Sequence, residues 1–252
     1  MSSRAAPAVR ISTRPSLSCR RSKTNPKSIS QGSLGLCGPA AFLRFWIARD
    51  PVAFVKLVAG LFNTGTGALG SMQVKPSEAL RNQEYGAISN RLIVACPITD
   101  WMVMSSMRDS ANLILSYLGT PDEPYAEGTT PANIVKWMQA TGLYSKVETQ
   151  NARNPIADAL ALKPGPSCDV ILAVNANILE KQNITGSLAE FIQGLSSGPA
   201  TPNHAIVLNT PIEKTGTDMY TLSVWTWASN RTLKVKGSTL AADYATAVVA
   251  EV

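Results

Sequence analysis

The spacing of apolar positions divides the chain into a helical first half and a strand-rich second half. Phe42, Leu43 and Trp46 share one side of a helix predicted over Pro39–Ala48, with Pro39 suited to its first turn. Asp50 precedes a second helix, Pro51–Phe62, and a Gly-rich loop over Asn63–Ser71 follows. Val103, Met104, Met107, Ala111, Ile114 and Leu118 fall at helical spacing and predict a third helix over about Trp101–Leu118. Thr130-Pro131 opens a fourth that carries Ile134, Val135 and Met138 and stops at Gly142, and Asn154-Pro155 opens a short fifth. The pattern then changes. Asp169–Val174, His204–Leu208, Met219–Trp227 and Thr232–Lys236 read as strands, the last two joined by a tight turn at Ser229-Asn230. Ser187 and Glu190 form a capping-box pattern for one interrupting helix, and Ser238 caps a last short helix rich in alanine. The class is α+β with a mostly antiparallel sheet.

Composition changes this picture only at the amino terminus. Residues 1–30 hold seven Arg or Lys and no Asp or Glu, so the net charge of +6 leaves the rest of the chain at −1. A body that is nearly neutral lacks the basic surface of a nucleic-acid binder. Residues 1–30 read as a disordered basic extension and residues 31–252 as one catalytic domain. The same Arg- and Ser-rich stretch also fits a transit peptide or a bacterial secretion signal, but it has no apolar core of a Sec signal peptide. No apolar run approaches the ~18 residues of a membrane span. The four cysteines (Cys19, Cys37, Cys96 and Cys168) are expected as reduced thiols.

Two motifs invite chemistry. Gly65-Thr-Gly67-Ala-Leu-Gly70 matches a dinucleotide fingerprint literally, but it follows a helix and runs into Pro76, so it reads as a loop and no cofactor is expected. The other motif is Gln31-Gly-Ser-Leu-Gly-Leu-Cys37-Gly-Pro. Cys37 lies at a helix start, where free N–H groups favour a thiolate, and Gly38 removes bulk beside the sulfur. Gln31 is six residues upstream, where its amide and the Cys37 N–H could form an oxyanion hole. A thiol needs a base or an ion-pair partner at neutral pH, and His204 is the only histidine. One histidine and cysteines without CxxC spacing argue against a metal site.

Gln, then Cys-Gly six positions later, then a distant strand-start His resembles the papain-like cysteine peptidases. Trp-Thr-Trp-Ala at 225–228 is similar to that superfamily's Asn-Ser-Trp-Gly. The Cys-Gly-Pro-Ala-Ala-Phe form, with the stretches at 74–82 and 106–112, looks closer to a bacterial subgroup of secreted effectors and toxins. The resemblance implies a helical lobe bearing the nucleophile and packed on a sheet lobe that carries the histidine. It implies hydrolysis of protein amide bonds through a thioester, with side-chain deamidation, cell-wall amidase work or an inactive binding module as alternatives. It also implies delivery without a Sec signal into a target-cell cytoplasm, and a cognate immunity or inhibitor protein. Matching Trp227 to the family's Trp puts Trp225 where the orienting Asn would be, and indole cannot accept the imidazole N–H. Ser223, Asn175, Asn230, or a backbone group or water, are left as the imidazole's partner.

Overall fold

A computed structural model describes residues 25–112, 117–123, 129–180, 182, 184–196 and 202–252. Helix α1 (Cys37–Arg49) is followed by α2 (Pro51–Thr64), which the Asp50 carboxylate caps by accepting from the Ala53 N–H at 2.9 Å. Gly65 closes α2 in the left-handed conformation at φ 74°. The expected loop contains a small hairpin, β1 (Gly67–Leu69) and β2 (Met72–Val74), whose turn at Gly70 passes so close to the Ala140 carbonyl that no Cβ fits. Short helices α3 (Glu78–Arg81) and α4 (Tyr85–Ser89) lead to α5 (Ile98–Ala111).

Helix α5 ends earlier than its apolar spacing suggests. Asn112 turns to extended backbone, and the Asp109 carboxylate accepts from the Tyr117 N–H at 2.7 Å and also from the Ser77 N–H, drawing the following chain off the helix axis. Ile114 of the predicted stripe lies outside the described residues. Helix α6 (Pro131–Thr141) has the Thr130 cap, accepting from Asn133 N–H at 3.3 Å, and the left-handed Gly142 that the sequence implies.

The second half is built on a seven-stranded antiparallel sheet among the described residues. Its strands are β3 (Lys146–Asn151), β4 (Cys168–Val174), β5 (His204–Leu208), β6 (Glu213–Lys214), β7 (Met219–Thr226), β8 (Ser229–Lys236) and β9 (Tyr244–Glu251). The order is β3-β9-β4-β5-β7, with β6 continuing beside β5 along one edge of β7 and β8 covering the other. Both faces of the central strands are buried. Ile171, Val207, Trp225, Val248 and Ala250 face a core shared with α1, α2, α5 and α6. Their alternates Val170, Leu172, Ile206, Leu208, Val224 and Val249 face a second core. Covering that second face are α7 (Pro155–Ala161), α8 (Asn177–Glu180), α9 (Ser187–Ser196) and α10 (Gly237–Asp243). Two buried faces explain why β4 and β5 read as continuous apolar runs instead of alternating ones.

Two expectations are corrected here. The turn between β7 and β8 is at Trp227-Ala228 and not at Ser229-Asn230, because Thr226 pairs with Ser229 and both intervening residues take positive φ, 43° and 60°. The packed body also begins before Gln31. Ile29 is fully buried, the Trp225 indole N–H donates to the Lys27 carbonyl at 2.9 Å, and the Ser30 N–H donates to Asp100 Oδ2 at 3.0 Å. Residues 25–30 therefore belong to the fold, while the rest of the basic extension lies outside the described residues. Deletion through Ser30 should cost about 3 kcal/mol relative to deletion through Thr24, chiefly from Ile29 burial. At this chain length that is a Tm drop of roughly 6–12 °C by calorimetry. Equal melting of the two truncations would refute the placement of Ile29.

Candidate functional site

Three elements converge on one cavity of ≈ 300 Å³. These are the start of α1 with Cys37, the start of β5 with His204 and Ala205, and the entry to α6 with Thr129, Thr130 and Pro131. Its floor is the first face of the sheet: Ile171 and Ala173 from β4, Thr246 and Val248 from β9. Among the described residues, no ionisable side chain other than Cys37 and His204 lines it.

Cys37 is placed by a helix that opens without a side-chain cap. The residue before it, Leu36, offers no acceptor, so the first N–H groups of α1 stay available to the sulfur. Gly38 has its own reason. A Cβ there would come within 2.5 Å of Thr129 Cβ and 2.6 Å of its Cγ2, so glycine lets the 129–131 segment cross tightly over the helix start.

Cys37 is half-buried and open to the cavity. Burial pushes its thiol up, and this outweighs the opposing pull of the Ala205 N–H, the Arg108 guanidinium and the Gly38 and Cys37 N–H groups. The helix-start advantage is thus present but is not the larger effect. Opening to the cavity moderates the upward push. Arg108, which sequence spacing did not single out, projects from α5 beneath this turn. Its Nη1 donates to the Gly35 carbonyl at 2.7 Å, and its guanidinium stacks 4.0 Å from the Tyr117 ring.

His204 is 3% exposed, and burial pushes its pKa down to about 3. The imidazole lies flat on Trp227, with ring centroids 4.2 Å apart and planes at 12°, and Phe191 meets the same indole edge-on. Nε2 is 2.8 Å from Thr226 Oγ1, while Nδ1 has no hydrogen-bond partner among the described residues and so is not bonded to the Cys37 sulfur. The resting pair is a thiol and a neutral imidazole on one cavity, not an ion pair. Unliganded sites often hold such partners apart until substrate binds.

The residues weighed as the imidazole's partner go elsewhere. Ser223 O accepts from Asn209 N–H at 2.8 Å, which puts it five residues along β5 from His204, roughly 16 Å away. Asn175 Oδ1 accepts from the Asn177 N–H at 2.9 Å and shapes the turn after β4. Asn230 pairs with Trp225 and accepts from Asn209 Nδ2 at 3.4 Å. The partner is Thr226, inside the Trp-Thr-Trp motif, which only the β5–β7 register could reveal. Gln31 is 2% exposed, its Nε2 donates to the Leu34 carbonyl at 2.9 Å, and it does not line the cavity. One amide hydrogen is therefore committed to the turn before Cys37.

Cys96 and Cys168 have raised thiol pKa values, in each case from burial first and acidic neighbours second. Of the three described cysteines, Cys37 combines an opening with cationic and N–H groups that favour its thiolate. Under iodoacetamide it should react faster than either, with a rate still climbing above pH 9. A plateau near neutral pH, followed by mass spectrometry, would instead indicate an ion pair. Among the described residues no cluster of His, Cys, Asp or Glu is arranged to hold a metal ion, and no helix is long and apolar enough to cross a membrane. No protein-family model, curated protein or solved structure matches this chain.

Proposed function

We propose that this protein is a cysteine-nucleophile hydrolase of papain-like design that cleaves amide bonds in protein substrates. The observation that carries the reading is the meeting of the uncapped Cys37 helix start and the single histidine at one cavity. His204 Nδ1, free of other partners among the described residues, takes the Cys37 proton as the sulfur attacks a carbonyl carbon. The Cys37 N–H stabilises the oxyanion, and Gln31 contributes by holding the turn before Cys37 through its bond to the Leu34 carbonyl. Collapse expels the amine, which takes its proton from the imidazolium. Water then resolves the thioester and regenerates the thiol.

Because the resting groups are neutral, His204 acts as a general base during attack, not as the counter-ion of a preformed thiolate. The uncharged cavity beside the sulfur, with Ile134, Ile171 and Val248 in its wall, suits a neutral aliphatic side chain near the scissile bond. Delivery as a secreted effector restrained by a cognate inhibitor belongs to the same proposal and rests on the motif resemblance alone.

The test is incubation with a mixture of unfolded proteins, wild type against Cys37→Ala and His204→Gln. New amino termini with wild type only support peptide hydrolysis. Ammonia release without new termini supports the deamidase reading. Neither product, or equal product from all three proteins, overturns hydrolysis and leaves a binding module.

A further inference from the structure

The strongest unexplained feature is the turn that joins β7 to β8. Trp227 and Ala228 both occupy the left-handed region, φ 43° and 60°, where a bulky aromatic residue is rarely found. Such strain persists where surrounding contacts over-determine it, and it clusters at working sites. Here the contacts converge on one ring: Trp227 stacks on the His204 face while Thr226, the residue before it, meets the Nε2 edge at 2.8 Å. A relaxed longer loop would not present an indole and a hydroxyl from adjacent residues to a face and an edge of the same imidazole.

We infer that Thr226 is a positioning residue for His204, its hydroxyl accepting the Nε2–H so that Nδ1 is the basic nitrogen. This inference rests on the cysteine–histidine reading above and deepens it. A threonine hydroxyl can donate or accept. If it donated to Nε2, the imidazole would carry its proton on Nδ1, a buried donor without a partner among the described residues. If it accepts, its own O–H is the buried donor left over, so the count of unpaired donors leaves the two tautomers even. The protonated ring decides the matter chemically. Once Nδ1 has taken a proton from the thiol, both ring nitrogens carry hydrogen, and Thr226 Oγ1 must accept. A hydroxyl that already accepts needs no rearrangement at that moment. No charge is added, because the hydroxyl stays neutral, and this fits the dry, apolar surroundings of Trp227 and Phe191.

The single histidine makes the test clean. In protein labelled with nitrogen-15 at histidine, every imidazole signal comes from His204. The expected wild-type spectrum at pH 7.5 has Nε2 protonated and Nδ1 bare. Thr226→Ser should keep that tautomer, whereas Thr226→Val, nearly isosteric, should move the ring toward the other tautomer. Cys37 alkylation by iodoacetamide should slow about tenfold in the valine variant and be restored in the serine variant, at matched Tm. A wild-type ring protonated on Nδ1, or an unchanged spectrum in folded Thr226→Val, overturns the inference. The wild-type spectrum alone suffices if the valine variant does not fold. The tautomer is read without any substrate, so failure of the hydrolysis assay would sink the proposed function and leave this result standing.

Discussion

Between pH 6.5 and 3 the wild-type protein should lose ~1.4 kcal/mol of stability per pH unit through His204 alone, and a His204→Gln variant should not. In the unfolded chain the imidazole titrates near 6.5, whereas in the folded protein burial holds it down to about 3. Across that window the unfolded state binds a proton that the folded state refuses, so acid favours unfolding. The effect is absent above pH 6.5 and complete near 3, on the order of 5 kcal/mol in all. Other ionisable groups add their own pH dependence to the same curve. The informative quantity is therefore the difference between wild type and His204→Gln in urea unfolding at several pH values. At pH 7.5 the variant should be the less stable, having lost the Trp227 stack and leaving Thr226 without its partner. By pH 4 the gap should have closed or reversed. Parallel pH curves would mean that the imidazole is wetter than its burial suggests, and the neutral-pair mechanism would fall with it.

The acid-sensitive ring illustrates where sequence reasoning succeeds and where it stops. Local signals carried the helix boundaries: Asp50-Pro51, Thr130-Pro131 and Gly142 each act through neighbours within three residues. The apolar runs of β4 and β5 were legible because both faces are buried. Strand β9 was not, since Tyr-Ala-Thr-Ala-Val-Val-Ala reads equally as an alanine-rich helix. Its identity comes from pairing with both β3 and β4 in the middle of the sheet. Strand β3 is polar and lies at the sheet edge, with no apolar signature to read.

At the site, Cys37 and His204 could be named because each is a chemically scarce residue at an element start. Thr226 could not, since threonine is common in strands and its meaning depends on a contact 22 positions away. Arg108 was hidden for a similar reason. It belongs to a helix buried nearly all round, whose polar residues Asp100, Ser105, Ser106, Arg108 and Asp109 break the apolar pattern without announcing what they meet.

Gly38→Ala should disable Cys37 without touching the sulfur, and Thr129→Gly should restore it. The added methyl would lie 2.5 Å from Thr129 Cβ, 2.6 Å from Cγ2 and 3.0 Å from Oγ1, far inside contact distance. Thr129 cannot yield by rotating about χ1, because the closest atom is its own Cβ, fixed to the backbone. The 129–131 segment must move instead, and it is the wall of the cavity and the entry to α6. Overpacking of this kind costs about 1–3 kcal/mol. The functional effect should be larger in proportion, because a displacement of ~1 Å at a reactive group can cost ~100-fold. Thr129→Gly removes all three clashing atoms, so the double variant should recover both Tm and the Cys37 alkylation rate relative to Thr129→Gly alone. That recovery would locate the defect in the crossing and not in the helix propensity of residue 38, where alanine is the better helix former. If Gly38→Ala is silent, the 129–131 segment does not close over the helix start, and the cavity beside Cys37 is wider than described.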